Sequence, residues 1–382
     1  MTERSPLHGR HVVEVLATST GGVGTHVRSL LPRLGSAGAA VRVCGPRATD
    51  ELFGFAAAGA ASFRPVEISA GLAPAADAAA VVALRRALGG TDLVHAHGLR
   101  AGLVTAAARR LTPGRPAFVL TLHNAAPDSR GIRRRLLGGA ERATVRAADV
   151  VLAASEDLAA NARVLGARDV RMAPVSAPPL RPASRSRTEV RAELGLDEGR
   201  QLVVAIGRLH PQKGYDVLLD AVAAWEGADR LRPAPLVAIA GDGPLESELA
   251  ERIRAQRLPV LLLGRRDDVA DLLSAADLCV LPSRWEARSL TAQEALRAGT
   301  PLVASRAGGL PELLGDAAEL VPPGDAGALA DAVVRVLGDP DRASHLVEAG
   351  RRQADGWPDE AATARQLVAV YRELLGPADG GR

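Results

Sequence analysis

Arg208 and Lys213 stand close together in AIGRLHPQKGYDVLLDA (205–221), a loop that leaves a strand-like run and opens a helix. Two fixed cations in such a loop suit a diphosphate. Lys213 is the only lysine in the chain, and every other Lys/Arg position is arginine. An ammonium is a compact point charge that a planar guanidinium does not reproduce, so its retention here marks the loop. Downstream, WEARSLTAQEALRAG (285–299) carries Glu286 in a loop and Glu294 in the helix expected to begin near Ser289. Free amides at that helix start can take a phosphate. The two carboxylates can each accept from vicinal hydroxyls, Glu286 from a sugar and Glu294 from a ribose.

The first half offers a second constellation. TSTGGVGTHV (18–27) is a glycine-rich turn between a strand and an amphipathic helix, a natural anion site at Gly22 and Gly24. It is not the nicotinamide-dinucleotide fingerprint, because Val27 stands where the third glycine belongs and the second strand ends in Cys44-Gly45-Pro46 without an acid. His97 closes DLVHAH and His123 closes AFVLTLH, both at the carboxyl ends of expected parallel strands where such sheets bind ligands. Asn124 follows directly. His95 is read as a core residue facing away from His97.

The elements that must position these residues follow from the alternation of short β-branched runs with Ala/Leu/Arg-rich helical stretches, the pattern of βαβ units and parallel sheets. One series of apolar runs lies at 11–17, 41–44, 66–68, 92–97, 117–123 and 149–154, and a second at 202–206, 236–240, 260–263, 278–281, 301–304 and 319–321. Two domains are expected for 382 residues. The first spans 1–175, a Pro/Ser/Arg-rich linker 176–188, the second 189–356, a closing helix 357–376 and a disordered tail 377–382. Cys44 and Cys279 sit inside apolar runs and are expected as buried free thiols.

Composition narrows the function classes. A net charge of +3 and 2% aromatic residues leave neither the basic surface nor the stacking platform of a nucleic-acid binder. No apolar run is long enough to span a bilayer, and the N-terminus leads straight into a strand, so a cytoplasmic protein is expected. The stretch 129–146 carries Arg130, Arg133, Arg134, Arg135, Arg142 and Arg146 beside apolar residues. It reads either as a solvated basic helix or as a peripheral contact with anionic lipid at the inner membrane face.

Taken in order, G-G-V-G-x-H (21–26), G-R-L-x-x-x-K-G (207–214), G-D-G-P (241–244), P-S-x-x-E-x7-E-A (282–295), A-G-T-P (298–301) and G-G-x-P-E (308–312) resemble glycosyltransferase family 4, retaining enzymes of the GT-B fold. The resemblance runs from Gly21 to the helix after Trp357. It implies an α/β architecture of two Rossmann-like domains with parallel sheets facing a central cleft, and transfer of a hexosyl group from a nucleotide sugar. Catalytic roles would fall to His123, Arg208, Lys213 and Glu286. Donor binding would fall to Gly22, Gly24, Gly207, Arg208, Lys213, Gly241, Arg265, Arg288, Ser289, Leu290 and Glu294, with His97 and Asn124 on the side of a glycan, lipid-linked or small-molecule acceptor. The family commonly has small or aromatic residues of the G-F-G-L type where this chain has Ala287-Arg288-Ser289-Leu290. No D-x-D stands at a strand end, since Asp339-Pro340-Asp341 lies between helices, so neither a metal nor another cofactor is expected. A nucleotide-sugar epimerase and a noncatalytic sugar-nucleotide-binding module are the competing readings. A phosphorylase would need a Schiff-base lysine, and Lys213 is already assigned.

Overall fold

The computed structural model describes residues 5–71, 73–125, 131–197, 199–226 and 231–376, with the side chains of 131–136 and 226 left out. It divides into two compact units, one of residues 1–178 with 358–382 and one of residues 179–357.

In the first unit a parallel sheet is formed by β1 (His11–Leu16), β2 (Ala40–Gly45), β3 (Ser62–Pro65), β4 (Leu93–His97), β5 (Ala117–Leu122), β6 (Val150–Ala153) and β7 (Val170–Met172), in the order β3-β2-β1-β4-β5-β6-β7. In the second, β8 (Leu202–Ile206), β9 (Leu236–Ala240), β10 (Val260–Leu262), β11 (Leu278–Leu281), β12 (Leu302–Ser305) and β13 (Glu319–Val321) form a parallel sheet ordered β10-β9-β8-β11-β12-β13. In both, the chain starts at the centre and reverses direction there, between β1 and β4 and between β8 and β11. That reversal is the doubly wound topology whose strand ends open onto a ligand crevice. The central strands are mostly apolar and do not alternate, because helices cover both faces, and every residue of β4, β8, β9 and β11 is buried.

Two strands depart from the sequence reading. The apolar run 66–68 lies just beyond β3, where Val66 and Ile68 are buried after the ladder has ended. The short β7 has only three residues, none fully buried, and carries no apolar run to announce it.

Residues in 179–188 are not bare connection. Leu180 packs on the second core, Ser184 donates through its N–H and its hydroxyl to Asp271, and Ser186 closes a capping box on the helix Arg187–Glu193. The helix Glu360–Leu375 belongs to the first unit, burying Ala364, Leu367, Val370 and Tyr371 with Leu16, Val27 and Leu30. Both thiols are buried and free, and burial pushes each up to about 12. The tail 377–382 lies outside the described residues.

Candidate functional site

The loop after β8 is built from backbone contacts that leave no space for side chains. A Cβ on Gly241, whose φ is +147°, would stand 2.0 Å from the Gly207 carbonyl oxygen. The two turns at the ends of β8 and β9 therefore meet backbone to backbone. Tyr215, buried at the start of the next helix, donates its hydroxyl to Gly207 O at 2.9 Å. Removing that hydroxyl in Tyr215→Phe leaves the carbonyl short of a partner, and we expect about 1 kcal/mol less stability, read as a lower urea midpoint.

This loop is laced to the one after β11. Gln212 donates its side-chain amide to Trp285 O at 2.8 Å, and Arg284 N–H donates to Gln212 O at 2.8 Å. Lys213 and Glu286, 73 residues apart, meet at 2.6 Å between Nζ and Oε1, with side chains 20% and 9% exposed. Ser283 donates to the same carboxylate oxygen at 2.7 Å. The Glu286 backbone is clamped from the far side: Gly309 N–H donates to its carbonyl at 2.8 Å, and a Cβ on Gly308, at φ +56°, would come within 2.1 Å of that oxygen. The glycine pair of G-G-x-P-E thus holds Glu286 in place. His210 lies within the field of both loop cations, its imidazole held below its usual value by burial and then by Arg208 and Lys213. Arg208 itself is exposed.

Ser289 caps the helix Leu290–Ala298, its hydroxyl accepting from Ala292 N–H, and Thr291 donates to Ile206 O, tying this helix start to the end of β8. Glu294, one turn in, is pushed up to about 7 by burial, against a smaller opposing effect of Arg297. Two further expected donor ligands, Arg288 and Arg265, are placed differently. Arg288 lies 5.7 Å over the Trp357 ring, which Arg297 also faces at 5.8 Å, so the indole draws the guanidinium away from solvent. Its Nε is buried with no hydrogen-bond partner among the described residues. Arg265 is 59% exposed beside Asp267, a surface pair of little energetic weight.

In the first unit the helix Gly22–Ser36 begins at the glycine turn, and Gly24 N–H donates to Ser19 Oγ at 3.1 Å. Gly24 is buried, and a Cβ there would fall 2.2 Å from the Phe53 ring, so its small size accommodates a packed aromatic. Gly22 is exposed, as is Asn124.

His97 and His123 do come together, with His97 Nδ1 3.1 Å from His123 Nε2. They belong to a larger buried cluster that the sequence reading missed. Glu14, in the middle of β1, lies 2.7 Å from His97 Nε2, and Tyr371 from the C-terminal helix donates to its other oxygen at 2.8 Å. His95 faces the same side as His97, with ring centroids 4.1 Å apart, because strand periodicity puts residues i and i+2 on one face. The expectation that it faces away is corrected. His26 stands edge-on to both His97 and His123. Nitrogens of His26, His97 and His123 lie within 4.8 Å of one another, a spacing open to a cation, while the 3.1 Å separation is that of a hydrogen bond.

Arg130 and the side chains of Arg133, Arg134 and Arg135 lie outside the described residues, whereas Arg142 is exposed and Arg146 donates to Leu165 O. No helix among the described residues is long and apolar enough to cross a membrane.

Residues 186–353 match the family described as "Glycosyl transferases group 1" and residues 21–178 the "Glycosyl transferase 4-like domain". The chain is 31% identical to 2-deoxystreptamine N-acetyl-D-glucosaminyltransferase of Streptomyces fradiae over 76% of its length and 73% of that protein's. It is 31% identical to D-inositol 3-phosphate glycosyltransferase of Frankia alni over 75% of each. It is also 31% identical to α-D-kanosaminyltransferase of Streptomyces kanamyceticus, over 62% of this chain and 63% of the relative, just under two thirds of its length. Among solved structures, sucrose-phosphate synthase of Thermosynechococcus elongatus superposes with a TM-score of 0.77 at 24% identity, covering 96% of this chain and 99% of that one. HepE of Anabaena, solved with UDP and glucose, gives 0.79 at 20% identity over 95% and 100%. With both halves matched in order and the doubly wound sheets of the fold in place, the chain belongs to the family 4 glycosyltransferases of the GT-B fold.

Proposed function

We propose that this glycosyltransferase moves a hexosyl group from a nucleoside-diphosphate sugar to a hydroxyl acceptor, with retention at the anomeric carbon and without a divalent metal. The observation that carries the reading is the Lys213–Glu286 pair, held by two interlaced loops beside Arg208 and the capped start of the helix Leu290–Ala298. It supplies both halves of what such a donor requires, fixed positive charge for the diphosphate and a carboxylate for sugar hydroxyls. The relatives support the donor class, since HepE was solved with UDP and with UDP-glucose.

In the proposed reaction the bond between the anomeric carbon and the diphosphate oxygen breaks, and the acceptor oxygen bonds to the same face of that carbon. The acceptor's proton passes to a phosphate oxygen of the leaving diphosphate. Arg208, Lys213 and the helix amides stabilise the charge that develops there, which is the work a metal would otherwise do.

Calorimetry with UDP, GDP, ADP and their sugars tests this, with tens-of-micromolar affinity or better expected for one of them in EDTA. Complete loss of binding in EDTA would overturn the metal-free reading. An epimerase of the same fold would interconvert its donor with no acceptor present, which chromatography of the sugar nucleotide detects.

A further inference from the structure

Within the first unit, a chain of buried hydrogen bonds determines which ring nitrogen of each histidine carries a proton. Glu14 is fully buried. Burial pulls its carboxyl upward, but His95 beside it and the ring N–H bonds from His95 and His97 outweigh this and hold it below the usual carboxylate range. An ionised carboxylate only accepts, so His97 Nε2, 2.7 Å away, is a donor. Burial keeps His97 neutral, lowered to about 4. His97 Nδ1 is then bare and accepts from His123 Nε2–H at 3.1 Å. Burial likewise holds His123 well below its usual value, so it keeps one ring proton, already committed to Nε2. Tyr371 fixes the other end: its hydroxyl donates to Glu14 Oε1 at 2.8 Å and so accepts from His95 Nδ1 at 2.7 Å.

We propose that Glu14 is a positioning residue that sets His123 as the Nε2–H tautomer, leaving Nδ1 as an acceptor for a hydroxyl of bound substrate. The tautomer follows from the first unit's own geometry. Only the substrate hydroxyl rests on the function proposed above. The device resembles in logic any carboxylate that orients a working imidazole, here through a second histidine placed between them.

The test is a long-range proton–nitrogen correlation spectrum of the full chain labelled with 15N-histidine, in which protonated and bare ring nitrogens are distinguished, with His123 assigned from the spectrum of His123→Asn. Native protein should show His123 protonated at Nε2 and bare at Nδ1. In Glu14→Met the acceptor is gone, the His97–His123 pair is free to invert, and the two His123 nitrogen shifts should converge. Tyr371→Phe keeps the Glu14–His97 bond and should leave the native pattern. Transfer kcat/KM should fall about 3- to 10-fold in Glu14→Met, the size of one neutral hydrogen bond, with nucleotide affinity unchanged.

A His123 protonated at Nδ1 in native protein overturns the proposal, and is also what a cation held between His97 Nδ1 and His123 Nε2 would produce. A native pattern persisting in Glu14→Met overturns it as well. Should Glu14→Met fail to fold, the native and Tyr371→Phe spectra still decide. The expected tautomers together with no transfer from any sugar nucleotide would overturn the proposed function alone.

Discussion

Lys213→Arg is expected to lower transfer kcat/KM by roughly 30- to 1,000-fold, about 2 to 4 kcal/mol of transition-state stabilisation, while leaving the melting temperature nearly unmoved. The substitution keeps the charge, in a chain that uses arginine at every other basic position. What it changes is where the charge sits. Nζ lies 2.6 Å from Glu286 Oε1, and the stem runs so close to Gly207 that a Cβ there would be 3.4 Å from Lys213 Cε. A guanidinium is broader and planar, and in that space it cannot bring its charge to the same point. It can still pair with Glu286, so the carboxylate stays compensated and the fold keeps its stability. Steady-state rates and melting curves for both proteins decide the matter. Equal rates would show that the retained lysine has no part in stabilising the leaving diphosphate.

The second unit's candidate site was legible because its signals are local. A cation pair in a glycine-bounded loop, and two acids around a helix start, can be read within twenty residues of sequence. The first unit's cluster was not, because its partners are joined by topology. Glu14 reaches His97 through the pairing of β1 with β4, and Tyr371 arrives 357 residues later on the last helix. One signal was present: a single carboxylate and two histidines interrupt strands that are otherwise apolar, and buried polar groups need partners. Gly24 carries a packing role that its turn did not announce, since the glycine also leaves the space taken by Phe53. Arg288 was assigned by its place between the glutamates, and only the fold reveals Trp357 beside it. Parallel pairing followed from the βαβ rhythm, whereas β7 has too few residues to carry any rhythm.

Glu294→Gln should make the protein more stable and a poorer binder of its nucleotide. Burial raises the folded-state value of Glu294 to about 7 from an ordinary 4.5. Between those values the folded chain holds a proton that the unfolded chain has released, so native stability falls as pH rises from about 4.5 to 7, then levels off. Glutamine has no charge to bury and escapes this loss. The variant should therefore exceed the native protein by about 3 kcal/mol at pH 8, and by only about 1 kcal/mol at pH 5, where folded Glu294 is already protonated. Urea midpoints at the two pH values measure both gaps. The cost appears in binding, because a carboxylate accepts from both ribose hydroxyls whereas the amide offers one oxygen. We expect roughly a 10-fold weaker Kd at pH 8. A half-buried acid held above its usual value at the expense of stability is the mark of a group retained for its ligand. A variant no more stable than native at pH 8 would refute the burial argument, and an unchanged Kd would remove Glu294 from the nucleotide site.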